Sequence, residues 1–118
     1  MRTEWNVVLQ DPLLTWLETL EQEDLLKIYA ALELLSTEGP HLGRPYADTL
    51  QGSKYTNLKE LRVQSKSSVF RLFFIFDPAR QAIVLCGGDK RGKKEKIFYQ
   101  TMITLAEKTY DAYLSKFQ

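Results

Sequence analysis

The sequence has one cysteine and one histidine among its 118 residues. A lone Cys86 excludes an intrachain disulfide, and its place at the end of an apolar run is more typical of a small buried residue than of a nucleophile. With His41 as the only histidine, a histidine and cysteine metal centre has too few ligands, and a serine or cysteine triad would depend on His41 as its base. Glycine-rich motifs that cradle nucleotide phosphates are also missing. These absences exclude most common enzyme classes and predict no cofactor and no metal.

Long hydrophobic runs are missing as well. No stretch approaches the roughly 18 apolar residues that a membrane-spanning helix needs, and the segment Met1 to Trp5 lacks the apolar core of a secretion signal. We therefore expect a soluble, cytoplasmic protein with no membrane partner. The length is ordinary for one domain, so we expect a single domain over residues 1–118.

Charge is distributed unevenly, although the net charge is only +1. Residues 1–60 hold ten acids against five Lys or Arg, whereas residues 61–118 hold five acids against eleven. This asymmetry predicts an anionic ligand for the second half of the chain.

Hydrophobic periodicity predicts an α+β fold. Asp11-Pro12 is a helix start signal that predicts a helix over residues 12–20. A second helix, about Gln22 to Thr37, ends at Gly39-Pro40. Its predicted apolar stripe consists of Leu25, Ile28, Tyr29, Leu32 and Leu35, and these two helices should form an antiparallel hairpin.

The rest of the chain predicts mainly strands. Trp5 to Leu9 is a short β-prone run, and residues 40–55 have the breakers of an ordered surface loop. From there the period changes to two, which predicts antiparallel strands over residues 57–64, 69–76 and 81–87. A C-terminal helix over residues 95–116 has Tyr99, Ile103, Ala106, Tyr110, Tyr113 and Phe117 at helical spacing. We expect a small antiparallel sheet with an N-terminal helix hairpin and a C-terminal helix.

Strand alternation assigns the side chains of the first two of these strands to faces. Phe70, Leu72, Phe74 and Phe76 form a wholly apolar face, which we predict to be the core face. The other face carries Val69, Arg71, Phe73 and Ile75, and we expect it to be uncovered. On the preceding strand, Glu60 and Arg62 point away from Leu61 and Val63.

Two interpretations are open for Arg71. It can face water on the uncovered side of the sheet, paired with Glu60, or it can clamp a phosphate, because a guanidinium donates to two phosphate oxygens at once. Glu60 and Arg62 are likewise either a surface ion pair or a proton acceptor for a ribose hydroxyl beside a phosphate ligand. Attack by the 2′-hydroxyl of RNA requires a base, stabilisation of the phosphorane charge and an acid, but no metal.

The segment Lys90 to Lys96 holds five Lys or Arg. It is either a solvated loop or a polyanion-binding segment, and Gly87-Gly88 and Gly92 favour the second because they let a ligand approach the backbone. Two roles are open for Tyr99. It either packs in the core or takes part in catalysis through its phenol.

The predicted helices and strands follow one another in the order found in a known family, and short motifs lie at matching places. These motifs are Leu42-Gly43-Arg44-Pro45, Leu58-Lys59-Glu60-Leu61-Arg62, Phe70-Arg71-Leu72-Phe73-Phe74, Phe76-Asp77-Pro78 and Lys90-Arg91 to Lys94. Over essentially its whole length the chain resembles the RelE/ParE toxin superfamily, and within it the HigB-type, phage Gp49-related branch.

The resemblance implies a toxin of a type II toxin–antitoxin system that cleaves mRNA at the ribosomal A site and is neutralised by a helix-turn-helix antitoxin. It implies that Arg71 contacts the scissile phosphate, that Arg91 or Lys90 is the basic residue after the last strand, and that Tyr99 or Phe98 is the aromatic of the terminal helix. RelE carries lysines where this chain has Leu58 and Glu60, so Glu60 is the expected substitute base.

The candidate residues form two groups. The catalytic candidates are Glu60, Arg62, Arg71, Arg91 and Tyr99, and the RNA-binding candidates are Lys59, Lys90, Lys93, Lys94 and Lys96. The guanidinium groups of Arg62, Arg71 and Arg91 should converge on one nucleotide linkage. The alternatives are a ParE-like toxin that inhibits a protein such as DNA gyrase without cleaving RNA, and a regulatory module that only holds RNA. The antitoxin should bind the helix hairpin or the cationic face.

Overall fold

The computed structural model describes residues 4–117. Its elements, in chain order, are β1 Asn6–Leu9, α1 Leu13–Leu17, α2 Gln22–Glu38, a 3₁₀ turn Gly39–His41, β2 Ala47–Thr49, β3 Lys59–Gln64, β4 Val69–Asp77, β5 Gln81–Asp89 and α3 Glu95–Ser115. The predicted α+β class, its strand hairpins and its C-terminal helix are confirmed. Within the described residues, no helix has both the length and the apolar character needed to cross a membrane.

The five strands form one sheet in the order β1-β5-β4-β3-β2. β2, β3, β4 and β5 pair antiparallel, as the short turns between the last three require. β1 instead runs parallel to β5, with Asn6 opposite Gln81 and Leu9 opposite Val84. The sheet is therefore mixed. After β1, the helices α1 and α2 carry the chain to the opposite edge of the sheet, where β2 lies.

Both faces of the sheet are covered, so the expectation of an uncovered face is wrong. The helices α1 and α2 pack on the face that carries Phe70, Leu72 and Phe74. The opposite face carries Phe73 and Ile75, which are also fully buried, under α3. A helix of 21 residues is long enough to span the sheet, and its inward stripe is Phe98, Met102, Ala106, Tyr110 and Tyr113.

The first helix begins one residue later than predicted, at Leu13 with Pro12 as its N-cap, and it is shorter. Asp11 Oδ1 accepts hydrogen bonds from the backbone N–H of Thr15 at 3.2 Å and from its hydroxyl at 2.9 Å. The helix ends at Leu17 rather than near residue 20, because tight hydrogen bonds from Thr19 N to Trp16 O and from Leu20 N to Leu17 O turn the chain.

The second helix matches its predicted bounds, but two stripe predictions are wrong. Gly39 follows α2 with φ of +56° and ends it. Tyr29 is 48% exposed on the outer side of α2, and Phe117 is 71% exposed beyond the end of α3. Both lie at the margin of their helical stripes.

The segment predicted as a loop contains the short strand β2. Ala47 is buried and pairs with Leu61. Further along, Ser53 Oγ and Lys54 N donate to the Glu107 carboxylate at 2.9 and 2.8 Å. These bonds join the loop before β3 to α3, and β3 and α3 both carry residues of the candidate site.

Candidate functional site

Glu60 is the centre of a cluster on the α3 side of the sheet. Glu60 is only 3% exposed to solvent. Its Oε1 accepts a hydrogen bond from the Tyr99 hydroxyl at 2.6 Å, and its Oε2 accepts one from Arg62 Nε at 3.1 Å. Arg71 Nε lies 3.5 Å from Oε1. We call Glu60, Arg62, Arg71 and Tyr99 the arginine site.

Strand register produces this cluster. Glu60 and Arg62 are alternate residues of β3 and so share a face, while Arg62 and Arg71 are directly opposite in the β3–β4 pairing. Two like charges directly opposite on neighbouring strands repel each other. The Glu60 carboxylate forms ion pairs with both guanidinium groups and offsets that repulsion.

Arg71 is nearly enclosed, so of the two interpretations left open for it, the one in which it faces water is wrong. Its side chain is 12% exposed, because the start of α3 lies over this face. Its Nη1 donates to the Phe70 carbonyl at 2.9 Å. Its Nε is buried and has no hydrogen-bond acceptor within the described part of the chain, since the contact with Glu60 is too long to count as one. The site thus contains an unsatisfied cationic donor.

Arg62 continues the charge pattern outward. Its Nη2 lies 3.4 Å from Asp48 Oδ2, and Asp48 in turn pairs with Arg44 at 2.8 Å. The result is a chain of alternating charges from solvent to core, which we call the ion-pair chain: Arg44, Asp48, Arg62, Glu60 and Arg71. The hydrogen bond from Arg44 is the largest cause that lowers the pKa of Asp48. Asp48 was missed from the sequence because it lies in the segment predicted as a loop.

Tyr99 carries its proton at neutral pH. Burial first, and then the hydrogen bond to the Glu60 carboxylate, raise the pKa of the Tyr99 phenol to about 12 from an ordinary 10.0. A protonated phenol beside two arginines can donate to an oxygen that develops negative charge.

Lys90, rather than Arg91, extends from the cationic segment to this site. Its Nζ lies 5.6 Å from the centre of the Tyr99 ring and 2.7 Å from Glu95 Oε1. That hydrogen bond lowers the pKa of the exposed Glu95 carboxyl. Arg91 is exposed and its backbone N–H binds Asp89, and no contact among residues 4–117 joins its side chain to the arginine site. The predicted convergence therefore holds for Arg62 and Arg71 only.

The remaining candidate lysines lie on separate surfaces. Lys59 Nζ donates to Thr49 Oγ1 at 3.0 Å. Lys96 shares a depression of about 400 Å³ with Tyr99 and Gln51. Lys93 and Lys94 line a different cleft.

The other reactive side chains lie outside the site. Cys86 is buried, and burial raises the pKa of its thiol to about 12, which confirms it as a core residue. His41 is exposed in the 3₁₀ turn. Across residues 4–117, no three His, Cys, Asp or Glu side chains are grouped closely enough to hold a metal ion.

Comparison with known families gives one family match. The model of the phage-derived protein family described as Gp49-like matches residues 15–111 of the chain. That range contains both strands of the arginine site and most of α3, including Tyr99.

Two relatives from Mycobacterium tuberculosis are similar in sequence. The putative toxin HigB2 is 42% identical over 87% of this chain, and the chain spans about half, 51%, of the length of HigB2. The putative toxin HigB3 is 38% identical over 92% of this chain and 93% of its own length.

Solved structures are similar in fold at lower identity. A double mutant of the E. coli toxin RelE, solved in the free state, has a TM-score of 0.57 at 13% identity, over 81% of this chain and 92% of that chain. A chain of the toxin–antitoxin complex RelBE2 from M. tuberculosis has a TM-score of 0.56 at 15% identity, over 73% of this chain and 98% of that chain. A chain of the RelE–RelB complex of Pyrococcus horikoshii has a TM-score of 0.54 at 13% identity, over 75% of this chain and 97% of that chain.

Proposed function

The chain belongs to the phage-derived Gp49-like family, and from this premise we propose that it is the toxin of a type II toxin–antitoxin system that cleaves mRNA on the ribosome. Two relatives are named putative toxins. The RelE-like fold supports the same class, and two of the similar structures are toxin–antitoxin complexes. A cytoplasmic location and a helix-turn-helix antitoxin belong to this proposal.

One observation carries the nuclease proposal: two arginines and a protonated phenol converge on one carboxylate in the arginine site. These are the groups that metal-free RNA cleavage requires, namely cations for the phosphorane charge, a proton acceptor and a proton donor. A surface that only held RNA would have no need of a buried carboxylate among its cations.

We assign the arginines to the scissile phosphate. In the resting site Glu60 is their shared partner, and the Arg71 Nε donor is unsatisfied. A phosphate is a better partner for two guanidinium groups than one carboxylate, because it offers more acceptor oxygens. On binding, it replaces Glu60 as their partner.

Glu60 is then the proton acceptor. Once released by the arginines, its carboxylate takes the proton of the ribose 2′-hydroxyl, and the 2′-oxygen attacks phosphorus to form a cyclic phosphate. The bond from phosphorus to the 5′-oxygen breaks, and Tyr99 supplies a proton to that oxygen. Because Tyr99 and Glu60 are in direct hydrogen-bond contact, the proton gained by Glu60 can return to Tyr99.

Primer extension on mRNA after brief induction of the protein tests this assignment. We expect discrete cuts from the native protein and a loss of at least about 10²-fold in cleavage for Arg71→Ala, because one such stabilising donor is worth about that much. Arg71→Lys should restore little, since lysine lacks the planar fork.

The matched control is Lys66→Ala, which removes an exposed cation from the turn between β3 and β4. It should cleave like the native protein. Undiminished cleavage by a folded Arg71→Ala protein would contradict the assignment. Growth arrest without any cuts would favour the ParE-like alternative, in which a protein target is inhibited.

A further inference from the structure

The depression beside Tyr99 lies between α3 and the segment that follows β2. Its volume is about 400 Å³. One wall is a lateral face of α3, whose residues recur at helical spacing: Lys96, Gln100, Ile103, Thr104 and Glu107. The rest of the lining consists of Gln51, Gly52 and Tyr99. Gly52 has open space around it, so the depression stays accessible on this side.

Some polar side chains of this lining already have partners. The Thr104 hydroxyl donates to the Gln100 carbonyl at 2.8 Å, and the Glu107 carboxylate accepts hydrogen bonds from the loop before β3. The Tyr99 hydroxyl donates to Glu60 in the arginine site. These groups shape the depression and are committed to the fold.

The side chains of Gln51, Gln100 and Lys96 differ from these. All three residues are exposed, and among residues 4–117 none of their side chains has a hydrogen-bond or ion-pair partner. Each carboxamide carries a donor and an acceptor side by side. The depression therefore presents two carboxamides and one cation to a ligand that enters it.

The lining is also partly apolar. Ile103 and the Tyr99 ring are half-buried and pack on the core cluster beneath α3. A neighbouring depression shares Gln51, Lys96, Tyr99 and Ile103 and adds Leu50, which is half-buried too. A flat ligand with apolar faces and hydrogen-bonding edges fits such a lining, and a nucleobase has that chemistry.

Tyr99 joins this depression to the arginine site. Its ring lines the depression, while its hydroxyl binds the Glu60 carboxylate that pairs with Arg62 and Arg71. A nucleotide whose phosphate lies on the two arginines consequently has its base one side chain away from the depression.

We propose that this depression, which we call the base subsite, holds the base of a nucleotide beside the scissile linkage. Gln51 and Gln100 hydrogen-bond to the edge of the base, and Lys96 pairs with the RNA backbone. Contacts of this kind to the edges of unstacked bases give single-stranded RNA its sequence-specific recognition. The role in cleavage rests on the proposed function, but binding of a base can be measured without cleavage.

NMR of the isotopically labelled protein tests base binding directly, because glutamine side-chain amides give signals of their own. The probes are the four ribonucleoside 5′-monophosphates and ribose 5-phosphate, which lacks a base, each titrated to about 5 mM to detect millimolar affinity. We expect at least one nucleotide to shift the carboxamide signals of Gln51 and Gln100. Ribose 5-phosphate should leave both signals in place.

Alanine substitutions assign the contacts. Gln51→Ala and Gln100→Ala should each weaken nucleotide binding about fivefold, which is the effect of one hydrogen bond. Gln22→Ala is the matched control, because it truncates an exposed glutamine of α2, and it should bind like the native protein.

Gln100→Glu tests how the edge of the base is read. A carboxylate accepts hydrogen bonds but donates none, so it favours the amino group of cytosine over the carbonyl oxygen that uracil has at the same position. We expect the ratio of cytidine to uridine monophosphate affinity to rise at least about tenfold. The ratio cancels the repulsion from the added negative charge, because both nucleotides carry the same phosphate. Gln22→Glu should leave the ratio unchanged.

Three results would overturn the base subsite. They are shifts of equal size with ribose 5-phosphate, native affinity in both alanine variants, and an unchanged ratio in Gln100→Glu. The nuclease proposal fails separately. Absence of cuts in primer extension would reject cleavage while nucleotide shifts at Gln51 and Gln100 upheld the base subsite, whereas cuts that depend on Arg71 without any such shifts would reject the base subsite alone.

Discussion

At the residue scale, the Tyr99 phenol reports on the charge of Glu60. The carboxylate stabilises the protonated phenol, and together with burial it raises the phenol pKa to about 12. Glu60→Gln removes the negative charge and keeps the shape of the side chain. We therefore expect the Tyr99 pKa to fall from about 12 towards 10.0 in this variant.

Ultraviolet absorbance during an alkaline titration measures this change. The signal of Tyr99 is obtained as the difference from Tyr99→Phe, and Glu33→Gln, an exposed carboxylate on α2, serves as the control. An unchanged titration in Glu60→Gln would contradict the hydrogen bond. Since the folded pKa is raised, the stability that Tyr99 contributes is complete below pH 10.0 and is lost as the pH rises through about 12.

The residues of the arginine site could mostly be predicted from sequence. Alternation and a short hairpin turn were enough to place Glu60, Arg62 and Arg71 together, since both depend on local spacing. The position of Arg91 could not be predicted, because the direction of a turn residue depends on the hydrogen bonds that Asp89 makes to Val69 and Arg91 backbone groups. The role of Asp48 depends on a long-range pairing of β2 with β3.

At the element scale, Gly39 lets the end of α2 pack closely against Trp5, the residue before β1. A side chain at this position would come within 2.4 Å of the Trp5 ring. The ring has little room to move, because it packs on Phe76 and lies under Arg80, and the Trp5 backbone binds Ser36. Gly39 also has φ of +56°. We expect Gly39→Ala to lower the free energy of unfolding by about 3 kcal/mol, from backbone strain and overpacking together.

Two other glycines separate these causes in urea unfolding. Gly52 has φ of +86° but open space around it, so Gly52→Ala should cost about 1 kcal/mol from strain alone. Gly43 has open space and no positive φ, so Gly43→Ala should change stability by less than about 0.5 kcal/mol. Equal losses of stability in Gly39→Ala and Gly52→Ala would show that the Trp5 ring moves aside and adds no cost.

The elements differ in how well the sequence predicts them. α2 and α3 have long apolar stripes and clear ends, so their bounds were predicted to within about a residue. β2 has three residues with one buried side chain, Ala47, which is too little pattern to distinguish it from a loop. Burial of both sheet faces was missed because Arg71 marks the α3 side as polar, although α3 covers it.

At the scale of the whole molecule, the cations of the second half divide between two sides of α3. Lys96 lies beside Tyr99, whereas Lys94 lines a separate cleft with Trp16 and Ile97. If RNA passes over the arginine site, only the first side should contact phosphates.

The salt dependence of RNA binding measures this division. Each phosphate contact on a single strand adds about 0.7 to the slope of log affinity against log salt. Lys96→Ala should therefore reduce the slope by about that amount, whereas Lys94→Ala, two residues away, should leave it unchanged. Fluorescence anisotropy of a labelled RNA over a salt series gives both values. Equal slopes for the two variants would contradict the division.

The ion-pair chain has a consequence for the speed of engagement. Its inner members, Asp48, Arg62, Glu60 and Arg71, lie on strands whose backbones are paired. Arg44, at the surface, lies in the turn before β2 and pairs with Asp48. An arriving anion can exchange partners along it by rotation of side chains alone, which takes picoseconds to nanoseconds at exposed positions. Because the strand backbones stay in place during this exchange, the frequency of encounters should limit how fast an anion occupies the outer arginines, Arg44 and Arg62.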